Sequence, residues 1–280
     1  MNLNSKIGLG TVQFGMPYGI SNNSGQTTIT EIEKILLDAE KKGISFIDTG
    51  SVYGTAESLL GNNNLTCFNI ISKYMPPTID ESLEQQFNRS LNRLKVNSLY
   101  GYLAHRPLDL LHNKKQWDWL LTLKDTGKVE KIGYSLNQVH ELEQLLTAGM
   151  FPDLVQVPFN FFDDRFKNLM IELKAKGCEI HTRSTFLQGL FFMDVNNLPD
   201  FFNKIKPHIK ELQKAFPQKL SGALLKYVLS LEFVDIVIMG VENLMQFTEN
   251  IEQISGAEEI YIPTPEIDEV FLMPSMWPKV

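Results

Sequence analysis

The sequence predicts one (β/α)8 barrel of the TIM type, on three observations. Short apolar runs alternate with longer amphipathic stretches along the whole chain. Eight such units in 280 residues average about 35 residues each, close to the ~30-residue βα module. No Gly/Ser/Pro-rich linker and no low-complexity stretch divides residues 1–280, which favours a single closed barrel over two doubly wound halves.

The elements follow in order. The strand candidates are Ile7–Gly10, Ser45–Asp48, Asn69–Lys73, Leu99–His105, Lys131–Ser135, Leu154–Val157, Cys178–Thr182 and Val234–Met239. The helix candidates are Glu31–Lys42, Thr55–Leu60, Glu81–Leu94, Gln116–Thr126, Val139–Thr147, Arg165–Lys176, Lys219–Leu231 and Leu244–Ile254. Thr30-Glu31-Ile32-Glu33 has the form of a capping box, with a side chain at each end satisfying a free backbone N–H. Gly43, Gly127 and Gly177 each follow a helix candidate, where a left-handed residue closes the last turn.

Composition excludes several function classes. Hydrophobic residues make up 43% and charged residues 21%, enough to bury a large core without disulfides. The net charge of −7 argues against a phosphate-backbone binder, which needs a basic stripe. Cys67 and Cys178 fit no disulfide framework, CxxC or zinc pattern, so no metal site is expected. Met1 to Lys6 lacks an apolar signal core, and no apolar run approaches the ~20 residues that span a bilayer. These features point to a cytoplasmic protein with neither membrane nor nucleic acid as partner.

In a (β/α)8 barrel, chemistry gathers where strands end and βα loops begin. Phe46-Ile47-Asp48-Thr49 leads into Gly50-Ser51-Val52-Tyr53-Gly54; the next strand ends in Ile71-Ser72-Lys73, and the next in Leu103-Ala104-His105. Asp48, Tyr53, Lys73 and His105 thus converge on one rim. A phenol is a weak acid at neutral pH, and a nearby ammonium lowers its pKa. Asp48 would hold Lys73 charged, Lys73 would acidify Tyr53, and His105 would bond a carbonyl oxygen or share the proton load. Such a group polarises and protonates a C=O but supplies no electrons, so a nicotinamide hydride donor is implied.

These segments resemble the aldo/keto reductase family. Its Asp-Tyr-Lys-His tetrad matches Asp48, Tyr53, Lys73 and His105 in order, and the likeness runs from about Ile7 to Ile254. The opening Gly8-Leu9-Gly10-Thr11-Val12-Gln13-Phe14-Gly15 is similar to the family's first strand and loop, with Thr11 on the cofactor side. The resemblance implies a (β/α)8 barrel binding NADP(H) in extended form. It also implies that Ser135 and Gln156 bond the nicotinamide carboxamide, and that Gly240, Gln246, Glu249 and Asn250 border the adenosine phosphate, with a helix N-terminus offering N–H groups there. Arg183 stands where relatives have a stacking aromatic ring, and a planar guanidinium can stack as well. The adenosine segment has Gly240 and Glu242 but no Lys or Arg, which weakens the case for NADPH and admits NAD(H).

The expected activity is reduction of an aldehyde or ketone, with Tyr53 as general acid. Gln188-Gly189, Arg183 and the Gly15-Met16-Pro17-Tyr18-Gly19 loop resemble bacterial members of a sugar-related subgroup, and the short tail after Pro263 suggests an open pocket. The alternatives are a cofactor-binding regulatory or scaffold protein on the same fold and a pyridoxal phosphate enzyme using Lys73. Taken singly, Asp48 reads as a strand-end cap and Tyr53 as a loop aromatic; the joint pattern carries the functional reading. A dinucleotide fingerprint fails because Gln13 stands where GxGxxG needs its third glycine. His112, His140, His181 and His208 read as ordinary. Phe161-Phe162, Phe191-Phe192 and Phe201-Phe202 read as packing, with an apolar substrate wall as the functional option.

Overall fold

The computed structural model describes residues 3–278. Its strands are β1 (Ile7–Gly10), β2 (Phe46–Asp48), β3 (Asn69–Tyr74), β4 (Leu99–Ala104), β5 (Val129–Ser135), β6 (Leu154–Pro158), β7 (Glu179–Arg183) and β8 (Ile236–Gly240). They close into one barrel in chain order, every neighbouring pair parallel, with Gly8 of β1 opposite Ile238 of β8. The helices Ile29–Lys41, Ala56–Leu60, Leu83–Leu94, Lys115–Asp125, Val139–Thr147, Lys167–Ala175, Leu220–Leu229 and Leu244–Ser255 follow the eight strands in turn. No helix among the described residues is long and apolar enough to cross a membrane.

The first helix shows why the pattern works. Ile32, Ile35, Leu36 and Ala39 recur at helical spacing and are the residues it buries against the barrel. Its cap is shifted from the expected Thr30: the extended Thr28 accepts the Glu31 N–H at 3.3 Å. Thr30 already lies in the first turn, where its hydroxyl cannot play that part. Gly43, Gly127 and Gly177 take φ of +75°, +67° and +87°, as a left-handed helix end requires.

Two departures matter for the site. β4 stops at Ala104, so His105 is the first residue beyond the strand, held by its N–H to the Tyr74 carbonyl at 2.9 Å. The long β7 connection contains a helix the sequence pattern did not reveal, Lys206–Ala215. That helix, the turn Leu187–Phe192 and the tail residues Phe271 and Leu272 form a second apolar core with Phe161, Phe162, Phe191 and Phe202. The paired phenylalanines are therefore mainly packing; Phe192 is the one that borders the main cleft.

The barrel interior is polar at its N-terminal end, and there His181 is not ordinary. Glu179 accepts from Tyr100 Oη at 2.6 Å and pairs with Lys131 Nζ at 3.0 Å. Its other oxygen lies 2.6 Å from His181 Nε2, and His181 has no solvent exposure. Phe46 meets both Tyr100 and His181 edge-on. Burial alone would raise the Glu179 pKa, but His181, Tyr100 and Lys131 together hold it at about 2.

Because the folded-state value lies below the usual 4.5, the stabilisation is complete above about pH 4.5 and is lost as pH falls toward 2. Glu179→Gln should lower stability by about 3 kcal/mol at neutral pH, the lower end for breaking a buried ion pair. It should also flatten the stability–pH curve between pH 4.5 and 2. Denaturant titrations across that range, on both proteins, measure this; parallel curves would contradict it.

Candidate active site

The C-terminal strand ends meet at a buried ion pair. Lys73, second to last in β3, has no exposed surface, and its Nζ lies 2.5 Å from Asp48 Oδ1 at the end of β2. The same ammonium donates to the Thr49 carbonyl at 2.9 Å. Gln156 Nε2 of β6 reaches across to the same Asp48 oxygen at 2.7 Å. Thr11 holds the Asp48 backbone, its N–H and Oγ1 donating to the Asp48 carbonyl at 3.0 and 2.9 Å.

Tyr53 is carried over this pair by a loop-to-loop contact. A Cβ on Gly15 would lie 1.7 Å from the Tyr53 carbonyl, and one on Gly54 would lie 2.2 Å from the Gly15 carbonyl. Only two glycines let the backbones meet so closely, and Gly54 also has φ +55°. Lys73 Nζ then sits 4.9 Å from the Tyr53 ring centroid, and the His105 ring meets Tyr53 edge-on at 6.1 Å.

The electrostatics differ from the sequence expectation in one respect. Burial pushes the Tyr53 phenol above its ordinary pKa, and the Lys73 charge only partly offsets this. Burial works against a charged Lys73, yet the facing Asp48 and Tyr53 raise its pKa and keep it an ammonium. His105 is pushed down to about 4 by burial and then by the positive Lys73 and Arg183, with Asp48 opposing. It is therefore neutral at physiological pH, a hydrogen-bonding group and not a proton store. Its Nδ1 has no hydrogen-bond partner within the described residues.

A cleft of about 700 Å³ runs from this cluster to the helix Leu244–Ser255. Thr11, Asp48, Tyr53, His105, Ser135, Arg183, Gly240, Gln246, Glu249 and Asn250 all border it. Lys73 and Gln156 lie beneath its wall, touching Asp48. The reading from sequence missed Gln13, which fills the space beside Gly240, and Asn137, which binds Arg183. It also missed a brace across the mouth, where Gln188 bonds Tyr18 Oη at 2.9 Å. Nothing local marks any of these; each is defined by a neighbour far along the chain.

The cleft end at the helix Leu244–Ser255, expected from sequence to offer free N–H groups, differs from that expectation. The helix N-terminus there is already capped: Leu244 N–H donates to Glu31 Oε2 at 2.8 Å and Gln246 N–H to Asn243 Oδ1 at 2.9 Å. Glu242 N–H donates to Gln246 Oε1 at 3.0 Å. Two of the helix's first N–H groups are thus spoken for, and one of their acceptors is a carboxylate. Lys34 does not leave a free cation here, since it pairs with Glu31 at 3.1 Å. Arg183 is also held differently from a simple stacking group. Its Nη2 donates to the Leu136 carbonyl and Asn137 Oδ1 at 2.8 and 2.6 Å, and its Nη1 to Ser184 Oγ at 3.3 Å.

Comparison with known proteins agrees with this architecture. The profile of the Aldo/keto reductase family matches residues 6–259. The glyoxal reductase of Bacillus subtilis is 33% identical over 163 residues, 54% of this chain and 56% of that protein. The uncharacterized oxidoreductase YtbE of the same organism is 33% identical over 104 residues, 37% of this chain and 36% of YtbE. The chain thus spans between a third and somewhat over half the length of these relatives. The holo form of aldo-keto reductase AKR11C1 from Bacillus halodurans superposes with a TM-score of 0.71 at 17% identity, covering 91% of this chain and 88% of that one, a likeness of fold.

Removing the ammonium leaves a buried carboxylate without its counter-charge. Lys73→Met should therefore cost about 3–5 kcal/mol of stability at neutral pH. Asp48→Asn combined with Lys73→Met should recover part of it, because the second change removes the stranded charge. Chemical denaturation of Lys73→Met, Asp48→Asn and the double variant gives the cycle; an unchanged midpoint in Lys73→Met would refute the pairing.

Proposed function

Since the chain belongs to the aldo/keto reductase family, we propose that it reduces an aldehyde or ketone with a nicotinamide cofactor, using Tyr53 as the general acid. One observation carries this reading: a desolvated Lys73–Asp48 pair lies under the Tyr53 ring, beside a neutral His105, at the head of a long cleft. When bound, the cofactor supplies the hydride. The chain's own groups do the rest. His105, uncharged, donates a hydrogen bond to the carbonyl oxygen. Tyr53 gives that oxygen a proton as negative charge develops on it. Lys73 stabilises the phenolate left behind, and Asp48 with Gln156 holds Lys73 in place. The phenol pKa, raised by burial, keeps the proton on Tyr53 until a substrate draws it away.

Residues suited to the cofactor lie along the cleft and just beneath its wall. The Gln156 Oε1 is buried without a hydrogen-bond partner among the described residues, which fits an amide donor such as the nicotinamide carboxamide, and Ser135 borders the same end. At the other end Glu242, Glu249 and Asn250 border the cleft, with Glu31 on the helix cap beside them. This acidic end suits an unphosphorylated ribose better than a 2′-phosphate of roughly −2 charge (compare phosphoserine). We therefore propose that NADH is accepted and that any preference for NADPH stays within about a hundredfold, or ~2.8 kcal/mol. The names of the matched relatives lend a sugar-related subgroup no support, and a small aldehyde or ketone is the substrate class proposed.

Tyr53→Phe should bind cofactor as wild type does but lose roughly 10²–10⁴-fold in kcat. Cofactor fluorescence titration and a carbonyl panel test this, and a near-normal kcat would overturn the assignment. Glu242→Lys should tighten NADPH binding selectively and make it more sensitive to salt. Titrating both cofactors at two ionic strengths checks it, the adverse result being an unchanged NADPH affinity.

A further inference from the structure

We propose that Arg183 makes this site select the reduced cofactor, its uncompensated guanidinium favouring binding of the neutral, reduced nicotinamide over the cationic, oxidised one. The inference rests on the nicotinamide-dependent reading above and concerns a charge that reading does not use.

The charges at the reacting end decide the matter. Asp48 and Lys73 face each other at 2.5 Å and cancel to first order. His105 is neutral. Arg183 remains, and its acceptors are a backbone carbonyl, an amide oxygen and a hydroxyl, Leu136 O, Asn137 Oδ1 and Ser184 Oγ. None of the ion pairs among the described residues includes Arg183. It is also the single Lys or Arg among the residues bordering the cleft. The remaining bordering carboxylates, Glu242 and Glu249, follow β8 toward the adenosine end. The residues that border the cleft at the reacting end, with Lys73 beneath them, therefore sum to one positive charge, and Arg106, next to His105, adds a field of the same sign from outside the cleft.

That charge is fixed in place and felt at the reacting atoms. The fork spans the gap from β7 to the residues just after β5, so the guanidinium cannot swing to solvent without giving up two good hydrogen bonds. Its positive charge reaches the catalytic side chains, depressing the His105 pKa and favouring the Tyr53 phenolate. A hydride donor has to approach the carbonyl carbon whose oxygen receives the Tyr53 proton. Its ring must then lie within reach of the same field. The reduced ring is neutral and the oxidised ring is a cation, so Arg183 acts on one member of the pair and not on the other. Between unit charges several ångströms apart in a partly desolvated cleft, the interaction is large enough to change a binding ratio tenfold or more.

Equilibrium binding without any carbonyl substrate isolates the effect. Kd values for NADH and NAD⁺ would be measured by calorimetry and cofactor fluorescence for wild type, Arg183→Gln, Arg183→Lys and Asn137→Asp. NADPH and NADP⁺ serve equally if that pair binds better, since phosphate content cancels within a pair. Wild type is expected to bind the reduced form more tightly. The preference should fall about tenfold or more in Arg183→Gln and also in Asn137→Asp, where a carboxylate neutralises the retained guanidinium. It should survive in Arg183→Lys. A loss of affinity shared equally by both forms, or an unchanged ratio in both neutralising variants, would overturn the proposal and mark Arg183 as a structural brace. Failure of wild type to bind any nicotinamide nucleotide would instead overturn the functional reading on which it stands.

Discussion

A lysine with no exposed surface is the constraint around which the site is built. An ammonium removed from water is tolerated only beside an opposite charge with its hydrogen bonds made, and Lys73 has both in Asp48 and the Thr49 carbonyl. Each neighbouring element supplies a support for that pair. Thr11, just past β1, fixes the Asp48 backbone, β6 holds the carboxylate through Gln156, and the Gly15–Gly54 contact lowers Tyr53 onto it. The geometry is thereby held by the closed barrel itself, while Tyr53 and His105, the two residues proposed to meet a substrate, are set on it from beyond the ends of β2 and β4.

Charge is distributed unevenly along the cleft. The end at Tyr53 is positive through Arg183, while the far end is lined by Glu242 and Glu249 and capped by Glu31. A helix N-terminus is normally a ready anion site. Here the Leu244 N–H already serves the Glu31 carboxylate, so the same geometry that would attract a phosphate has been satisfied from within the chain. The Glu179 cluster at the opposite end of the barrel is a separate matter, a fully partnered carboxylate that fills the interior and takes no part in the cleft.

The β7 connection is where the fold departs most from a minimal barrel. Ser184, Leu187 and Gln188 all have positive φ, an uncommon run for residues with side chains. Such a conformation persists only when its surroundings over-determine it. The Tyr18–Gln188 bond braces one side, and the phenylalanine-rich second core anchors the other. The connection borders the cleft, so its shape is part of the site.

The barrel and the three strand-end residues were legible in the sequence because both are local signals. Apolar alternation marks the eight strands, and Asp48, Lys73 and His105 declare themselves by ending or just following three of them. Cap positions shifted by a residue or two, as at Thr28, because several threonines near a helix start satisfy the same pattern until the backbone selects one. What the tertiary structure alone decided is the partner of each charged group. Glu31 reads as an ordinary first-turn acid until Leu244, 213 residues away, is brought to it. Arg183 reads as a stacking group until Leu136 and Asn137 take its fork, and His181, two residues past Glu179 on the same strand face, reads as ordinary until barrel closure buries the pair against Phe46, Tyr100 and Lys131. Periodicity is written residue by residue along a chain, but the field at a site is a sum over groups that only folding makes neighbours.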